Sequence, residues 1–448
     1  MEKTSEKMTF VVGAGGSGLA SAELLMGEGR AVTLCDERDL EAVERSLGRS
    51  LPDGIAFRRG LPETGDAAGA GLVVVSPGVP AAKLPLAALR AASVPVWGEL
   101  ELGFRRFRGR VTAVAGTNGK STVTTLIGLM AERAFPRVFV GGNLGTPFVT
   151  AAGADFDWGV VEVSSFQLDT IDSFRPSIAL LLNITEDHSD RYAGFSAYAE
   201  AKMAVFRNQE TGDTAVINAD DPEVAARAAR IRADVLPFSL SREFPQGIFL
   251  SGEDMVLRDG GREERYPRSL LRIPGTQNVE NAMAAIAAAR RMGVPEVVVR
   301  EVLSTFPGLP HRVEFVRALR GVSYYNDSKG TNVGAVLKAL EGFSETVVLI
   351  AGGKDKGVDF RPLREPLSRK ARGAVLIGQA RGRMKAELEG AAPIVLADTL
   401  DDAVRAASGI AKPGDVVVFS PACSSFDMFK NFEERGEAFR KSVLEMPE

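Results

Sequence analysis

Lys120 stands in Gly116-Thr117-Asn118-Gly119-Lys120-Ser121-Thr122, between a β-branched run, Val111 to Ala115, and a stretch with helical patterning, Ser121 to Arg133. A Gly-Lys-Ser turn between a strand and a helix is the end of a phosphate loop. Its backbone N–H groups cradle phosphate, the lysine neutralises β and γ oxygens, and the Ser121 hydroxyl can reach Mg²⁺. The strict pattern asks for a glycine five residues before Gly119, where this chain has Val114. The loop is therefore a variant, with the same donors. Gly116, Thr117, Asn118, Gly119, Lys120, Ser121 and Thr122 are its candidate ATP-binding residues. Glu162, near the end of the apolar run Gly159 to Val163, is placed to complete a Mg²⁺ shell as a Walker-B acid does. The chain has two histidines, His188 and His311. His188 falls among acids in Asn183 to Asp190, just after an apolar run, and is either an ion ligand or a structural histidine.

A second glycine turn lies near the N-terminus. Gly13-Ala14-Gly15-Gly16-Ser17-Gly18 fits G-x-G-x-x-G, and Asp36 ends the next strand about 20 residues on, as a dinucleotide fingerprint expects. Glycines let the backbone approach a diphosphate. The turn does not by itself separate NAD from a nucleotide sugar, and tight packing alone also uses glycines. Ser76-Pro77-Gly78, after Leu72 to Val75, is a further turn at the same sheet edge, either a ligand contact or a plain strand end.

These turns need strands and helices to hold them. Met8 to Val12 and Ala31 to Cys35 read as strands with a helix, Ser17 to Gly27, between them. The βαβ rhythm restarts at Arg110, with strands expected at Val111 to Ala115, Gly159 to Val163, Ile178 to Asn183 and Thr214 to Asn218. Hairpin-like alternation follows in Ile248 to Tyr266, then an Ala-rich helix, Val279 to Met292. A third restart follows Pro310, with strands at Thr346 to Ala351, Ala374 to Gly378, Pro393 to Ala397 and Asp415 to Phe419. Boundaries near Gly109 and Pro310 give three α/β domains, residues 1–109, 110–310 and 311–448, which suits a chain of 448 residues.

Composition narrows the partners. A formal net charge of -4 without a long basic run favours neither nucleic acid nor an anionic membrane. Two cysteines, Cys35 and Cys423, make no disulfide framework. The charged N-terminus does not read as a signal peptide, and the apolar runs are too short to span a bilayer, so a cytoplasmic location is expected.

Taken together, the motifs resemble the Mur ligase family along the whole chain. Gly116 to Ser121 resembles that family's phosphate loop, which lacks the first glycine. Glu162-Val163-Ser164-Ser165-Phe166-Gln167 resembles its E-x-S-S-F-Q strand, and Asn183 to Asp190 its N-x-x-x-D-H-x-D loop. Gly275-Thr276-Gln277-Asn278-Val279-Glu280-Asn281 resembles G-x-H-N-x-x-N, with Gln277 in the histidine's place, and His311-Arg312 the pair that opens the last domain. The resemblance implies a Rossmann-like N-terminal domain for a UDP-sugar, a P-loop-type central ATPase domain, and a Rossmann-like C-terminal domain for an amino acid. It implies that Asn278, Asn281, Arg312 and Asp327 contact the nucleotide, and that Gly16, Ser17, Asp36, Ser76, Gly78 and Asn143 contact the UDP-sugar. It also implies two Mg²⁺ ions held by Ser121, Glu162, His188 and Lys202, with Lys202 as a carbamate; without the resemblance Lys202 reads as a surface lysine.

Among family members, Tyr325 to Asn332, Gly352 to Gly357 and Ser420 to Asp427 look like the D-glutamate-adding branch. The D-N-P-R run of diaminopimelate-adding relatives and the D-D-Y-x-H-H run of L-alanine-adding ones are absent. By that resemblance Thr331, Lys356, Ser425 and Phe432 bind D-glutamate and Lys329 touches the transferred phosphoryl group, the chemistry a dicarboxylate needs. The implied reaction joins UDP-N-acetylmuramoyl-L-alanine to D-glutamate through an acyl phosphate, in peptidoglycan precursor synthesis. Lys120, Glu162, His188, Lys202 and Lys329 are its catalytic candidates, closure of the last domain excludes water, and a monomer is the working expectation. The competing readings are an NAD-dependent dehydrogenase, a P-loop ATPase without ligation, and a sibling ligase adding L-alanine or a diamino acid.

Overall fold

The structure, a computed structural model, describes residues 7–187, 191–273 and 275–447. The described residues fall into two compact units. One is drawn from Met1–Ile184, Arg191–Pro267 and Asn281–Val302, the other from Thr185–Asp190, Arg268–Glu280 and Leu303–Glu448.

The first unit holds two sheets. In the first, β1 (Met8–Val12), β2 (Val32–Asp36), β3 (Ile55–Arg59), β4 (Ala70–Val75) and β5 (Val96–Gly98) run parallel in the order β3-β2-β1-β4-β5. Side chains alternate along β1. Val11 packs with Leu34, Leu72 and Val74 on the face covered by Leu19, Ala22 and Leu25, whereas Phe10 and Val12 pack with Val73 and Val75 on the other. This period of two, with both faces buried, is why these strands read as unbroken apolar runs. Burial of each such side chain stabilises the fold by about 1.5–3 kcal/mol. Strand order reverses at β1, so its C-terminal end, flanked by those of β2 and β4, opens a crevice suited to a ligand.

The second sheet orders β6 (Arg110–Ala115), β7 (Val138–Gly142), β8 (Trp158–Glu162), β9 (Ile178–Leu181), β10 (Thr214–Asn218), β11 (Asp234–Ser239), β12 (Gly247–Ser251), β13 (Asp254–Asp259) and β14 (Arg262–Pro267) as β14-β13-β12-β11-β10-β9-β6-β8-β7. β6 lies between β8 and β9 in parallel register, Val114 opposite Glu162 and Ala115 opposite Leu181. The alternation at Ile248 to Tyr266 becomes a three-stranded antiparallel meander, β12 to β14, joined in parallel to β11. β11 escapes the sequence reading because Pro237 interrupts it, a residue that argues against a strand. The Ala-rich helix spans Thr276–Met292, three residues earlier than expected, which puts both Asn278 and Asn281 in its first turns.

The second unit orders β15 (Glu314–Leu319), β16 (Val322–Asn326), β17 (Val347–Gly352), β18 (Ala371–Ile377), β19 (Ile394–Leu396) and β20 (Val416–Phe419) as β15-β16-β20-β17-β18-β19. β15 and β16 form an antiparallel hairpin and the other pairs are parallel. The four expected strands are present; the hairpin was not foreseen, because β15 is a half-exposed edge strand with a mixed pattern. Val347, Leu349 and Ala351 enter one core and Val348 and Ile350 the other. The loops after β16, β17 and β20 therefore leave neighbouring strand ends.

Candidate active site

The phosphate loop is a closed hydrogen-bonded ring. Gly119, immediately before helix Lys120–Ala134, has φ +87°, a conformation that side chains rarely adopt, and a Cβ there would collide with Asn281 Oδ1. Asn183, just past β9, accepts hydrogen bonds from the Thr117 and Asn118 amides at 3.1 and 2.8 Å and donates from Nδ2 to Asn118 O at 3.1 Å. Lys120 Nζ folds back to donate to the carbonyls of Gly116 and Thr117, both at 2.9 Å. Lys202 Nζ donates to the same Gly116 carbonyl at 2.7 Å, and Lys202 is only 3% exposed. It lies 4.6 Å from the Tyr198 ring centroid, while the Tyr198 hydroxyl pairs with Thr117 Oγ1 at 3.1 Å. Two lysine side chains thus converge on one loop carbonyl. The sequence motif Asn183 to Asp190 gave Asn183 no role of its own, and Tyr198 was not among the candidate residues.

Glu162, at the end of β8, is 3% exposed, and Asn143 Nδ2 donates to its Oε1 at 2.7 Å. The Asn143 amide also donates to the Glu162 carbonyl at 2.8 Å, which fixes the two residues as a pair. Ser121 and Thr122 are buried in the first turn of the loop helix. The oxygens of Ser121 and Glu162 are the hard donors that Mg²⁺ prefers. Among the described residues no group of three or more His, Cys, Asp or Glu is placed to hold a metal ion. A carbamate retains one N–H on the lysine nitrogen, so the bond from Lys202 to Gly116 is compatible with that modification. His188 lies outside the described residues.

In the first sheet the glycine turn is locked from within. Asp36 accepts from the Ala14 amide at 2.8 Å and from the Arg38 amide, Nε and Nη2 at 3.0, 2.9 and 3.0 Å. Burial alone would raise the Asp36 carboxyl, but the donors of Arg38 and Ala14 outweigh it and bring it down to about 2. Ser76 Oγ donates to Gly13 O at 2.7 Å. A Cβ on Gly18 would run into that carbonyl, whereas a Cβ on Gly15, Gly16 or Gly78 meets nothing within 4 Å. Half of the glycine signature is therefore packing, and half leaves open backbone beside Ser17. Arg38, not singled out in the sequence, brings a guanidinium to this edge.

In the second unit a cavity of about 710 Å³ collects Lys329, Thr331, Lys356, Ser425 and Phe432. These are the residues expected from the sequence, and Lys354 adds a third ammonium. Lys329 Nζ sits 3.7 Å from the Phe432 ring centroid, and Lys356 Nζ donates to Thr331 O at 3.3 Å. Arg435, 1% exposed, ties the loops together. Its guanidinium donates to Ser328 Oγ and Ser328 O at 3.0 and 2.7 Å and to Cys423 O at 3.0 Å. Burial lowers its pKa to about 10. Asp327, in the loop after β16, is pushed up to about 7 by burial, against the Ser420 hydroxyl at 2.6 Å, Arg312, the Val313 amide and Arg435. Asn278 lies in the same unit, its amide bonded to Gly275 O at 3.0 Å. Cys423 is buried and its thiol is pushed up to about 12 by burial, so it is a packed residue rather than a nucleophile.

Comparison with known proteins bears on the whole chain. Residues 7–98 match the Mur ligase MurD-like N-terminal domain, 114–289 the Mur ligase middle domain and 311–423 the Mur ligase glutamate ligase domain. The UDP-N-acetylmuramoylalanine–D-glutamate ligase of Geotalea uraniireducens is 46% identical over 446 residues, covering 99% of this chain and 98% of that one. The ligase of the same name from Geobacter metallireducens is 46% identical over 441 residues, covering 98% and 97%. Among solved structures, MurF ligase of Thermotoga maritima, in complex with ADP, shares the fold at TM-score 0.61 and 17% identity, covering 99% of each chain. UDP-N-acetylmuramate-alanine ligase MurC of the same organism does so at 0.59 and 20%, covering 98% of this chain and 99% of that one. With three Mur ligase domain models matched along its length and ligases 46% identical over nearly all of it, the chain belongs to the Mur ligase family.

Proposed function

We propose that this protein is an ATP-dependent ligase that forms an amide bond between UDP-N-acetylmuramoyl-L-alanine and D-glutamate in peptidoglycan precursor synthesis. The observation that carries this reading is similarity over nearly the full chain to ligases named for that reaction, 46% over 446 residues. Its chemistry agrees with a phosphate loop held by Lys120 and, in the second unit, a cavity lined by Lys329, Lys354 and Lys356 together with Thr331, Ser425 and three acids, Asp187, Asp355 and Glu433.

In the first step the L-alanine carboxylate oxygen attacks the γ-phosphorus of ATP, the bond to the β–γ bridging oxygen breaks, and ADP leaves. In the second, the neutral amine of D-glutamate attacks the acyl-phosphate carbonyl carbon. The carbon–oxygen bond to phosphate then breaks, and the amine gives up a proton. Phosphorylation turns a poor leaving group into a good one, and catalysis is positioning and charge neutralisation. Gly116 to Thr122 cradle the triphosphate, with Lys120 on its β and γ oxygens. Lys329 is assigned to the transferred phosphoryl group. Asn278, Asn281, Arg312 and Asp327 are assigned to the rest of the nucleotide. Gly16, Ser17, Asp36, Ser76, Gly78 and Asn143 serve the UDP-sugar, and Thr331, Lys356, Ser425 and Phe432 the D-glutamate carboxylates. Two Mg²⁺ ions, held by Ser121 and Glu162 and by His188 and carbamylated Lys202, would neutralise phosphate charge. His188 is also the candidate base for the amine.

The domain limits 1–109, 110–310 and 311–448 belong to this reading, as does a cytoplasmic monomer. Among the described residues no helix is long and apolar enough to cross a membrane. The test is a panel of amino acids incubated with the protein, Mg²⁺, ATP and UDP-N-acetylmuramoyl-L-alanine. Phosphate release and coupled product are expected with D-glutamate. Release with L-alanine or a diamino acid instead, or ATP hydrolysis without any amino acid, overturns the assignment.

A further inference from the structure

Glu99 is a buried acid that the mechanism does not use. It follows β5 directly and is 1% exposed. Its Oε1 accepts from the Val149 amide at 2.7 Å and its Oε2 from Gln167 Nε2 at 3.4 Å, with a further bond from the Phe148 amide. Every one of these partners is a neutral donor, so the ionised carboxylate is the form they complete. A buried carboxylate without a cation costs several kcal/mol that an apolar side chain of similar size would not. Burial accordingly raises the Glu99 pKa.

What this cost secures is visible in where the partners lead. Gln167 Oε1 accepts from the Ser164 amide and hydroxyl at 2.9 and 3.0 Å, and the Gln167 amide donates back to Ser164 Oγ at 3.3 Å. This capping box begins two residues after Glu162. On the other side, Phe148 and Val149 open the turn that follows Asn143, the residue bonded to Glu162 Oε1. One carboxylate thus spans the two segments whose residues form the Asn143–Glu162 pair. The preceding residue is anchored just beyond the same short helix, since the Gly98 amide donates to Thr170 O at 3.1 Å.

We propose that Glu99 is a positioning residue, whose carboxylate holds the Asn143 and Glu162 segments, through Val149 and Gln167, at the spacing that metal–nucleotide binding needs. This rests on the reading of Glu162 as a metal ligand. The test titrates Mn²⁺ into full-length protein with a non-hydrolysable ATP analogue and follows binding by EPR, beside steady-state kinetics. Glu99→Gln, which presents an amide to the same donors, is expected to weaken Mn²⁺ binding and lower kcat by about tenfold, with KM for D-glutamate unchanged. Gln167→Glu, which sets two carboxylates face to face, is expected to weaken binding at least as much. The double variant E99Q/Q167E, which swaps the two groups, is expected to recover to within about threefold of the parent, because the donor–acceptor pair is restored. Parent-like Mn²⁺ affinity in a Glu99→Gln protein with a cooperative melt overturns the proposal, as does a folded double variant that recovers nothing. If Glu99→Gln does not melt cooperatively, Gln167→Glu, which keeps an oxygen for Ser164 and removes only the donor to Glu99, is held to the same criterion. A parent protein that binds no Mn²⁺–nucleotide would instead overturn the role given to Glu162.

Discussion

Two glycine turns, each between a strand and a helix, solve different problems. In the turn after β1 the acid of the motif is consumed internally: Asp36 takes the Ala14 amide and the Arg38 guanidinium, and Ser76 holds Gly13. The turn after β6 is instead crossed by two lysine side chains, Lys120 and Lys202, that share the Gly116 carbonyl. The first is built to keep a backbone shape against which a diphosphate can rest. The second brings side chains from two other segments, Lys120 on the following helix and Lys202 from far along the chain, onto the loop itself. A glycine signature therefore reports backbone access, and the charges brought to it by neighbouring elements decide between holding a phosphate and transferring one.

That contrast can be broken at several points. The largest effect is expected from Lys120→Ala, a loss of about 10³-fold or more in kcat by phosphate release; a substantial residual rate would dissolve the distinction between the turns. Lys202→Ala should lose about 100-fold, with partial recovery in acetate if a carboxylate is what the residue supplies. Normal activity without acetate counts against the carbamate. In the first turn Gly18→Ala should cost about 2 kcal/mol in denaturant unfolding, because its methyl meets backbone, while Gly16→Ala, facing open space, should leave stability nearly unchanged; equal losses would mean that both glycines are packing. Asp36→Ala should raise KM for the UDP-sugar about tenfold and leave KM for ATP alone, as expected when an internal brace rather than a phosphate ligand is lost. The smallest effect concerns acid. Because the Asp36 pKa falls from 3.8 to about 2 on folding, its contribution is present above 3.8 and fades as pH drops toward 2. Asp36→Asn should flatten that part of the stability–pH curve, and an unchanged curve would remove Asp36 as the brace.

Much of the second unit's cavity was legible. Lys329, Thr331, Lys356, Ser425 and Phe432 were named from motif and line one cavity. Residues that act through others were not. Arg435 bonds to Ser328 and Cys423, positions 107 and 12 residues away, and no local pattern marks a buried arginine. Tyr198 and Asn183 were given no role, because their bonds to Thr117 reach back 81 and 66 residues. β11 was hidden by Pro237, and the β15 edge by an irregular pattern, since periodicity speaks only where one face is buried.

By itself the sequence determined the βαβ rhythm and the two phosphate-suited turns, because strand periodicity, glycine freedom and a Gly-Lys-Ser turn are local properties; the branch of the family came from resemblance of whole motifs. Only the tertiary structure decided that Asp36 braces its turn, that Lys202 meets the Gly116 carbonyl rather than solvent, and that Glu99 spans the flanks of Glu162. Those outcomes depend on burial and on donors from distant segments, and a charge's role is set by the groups that fold around it.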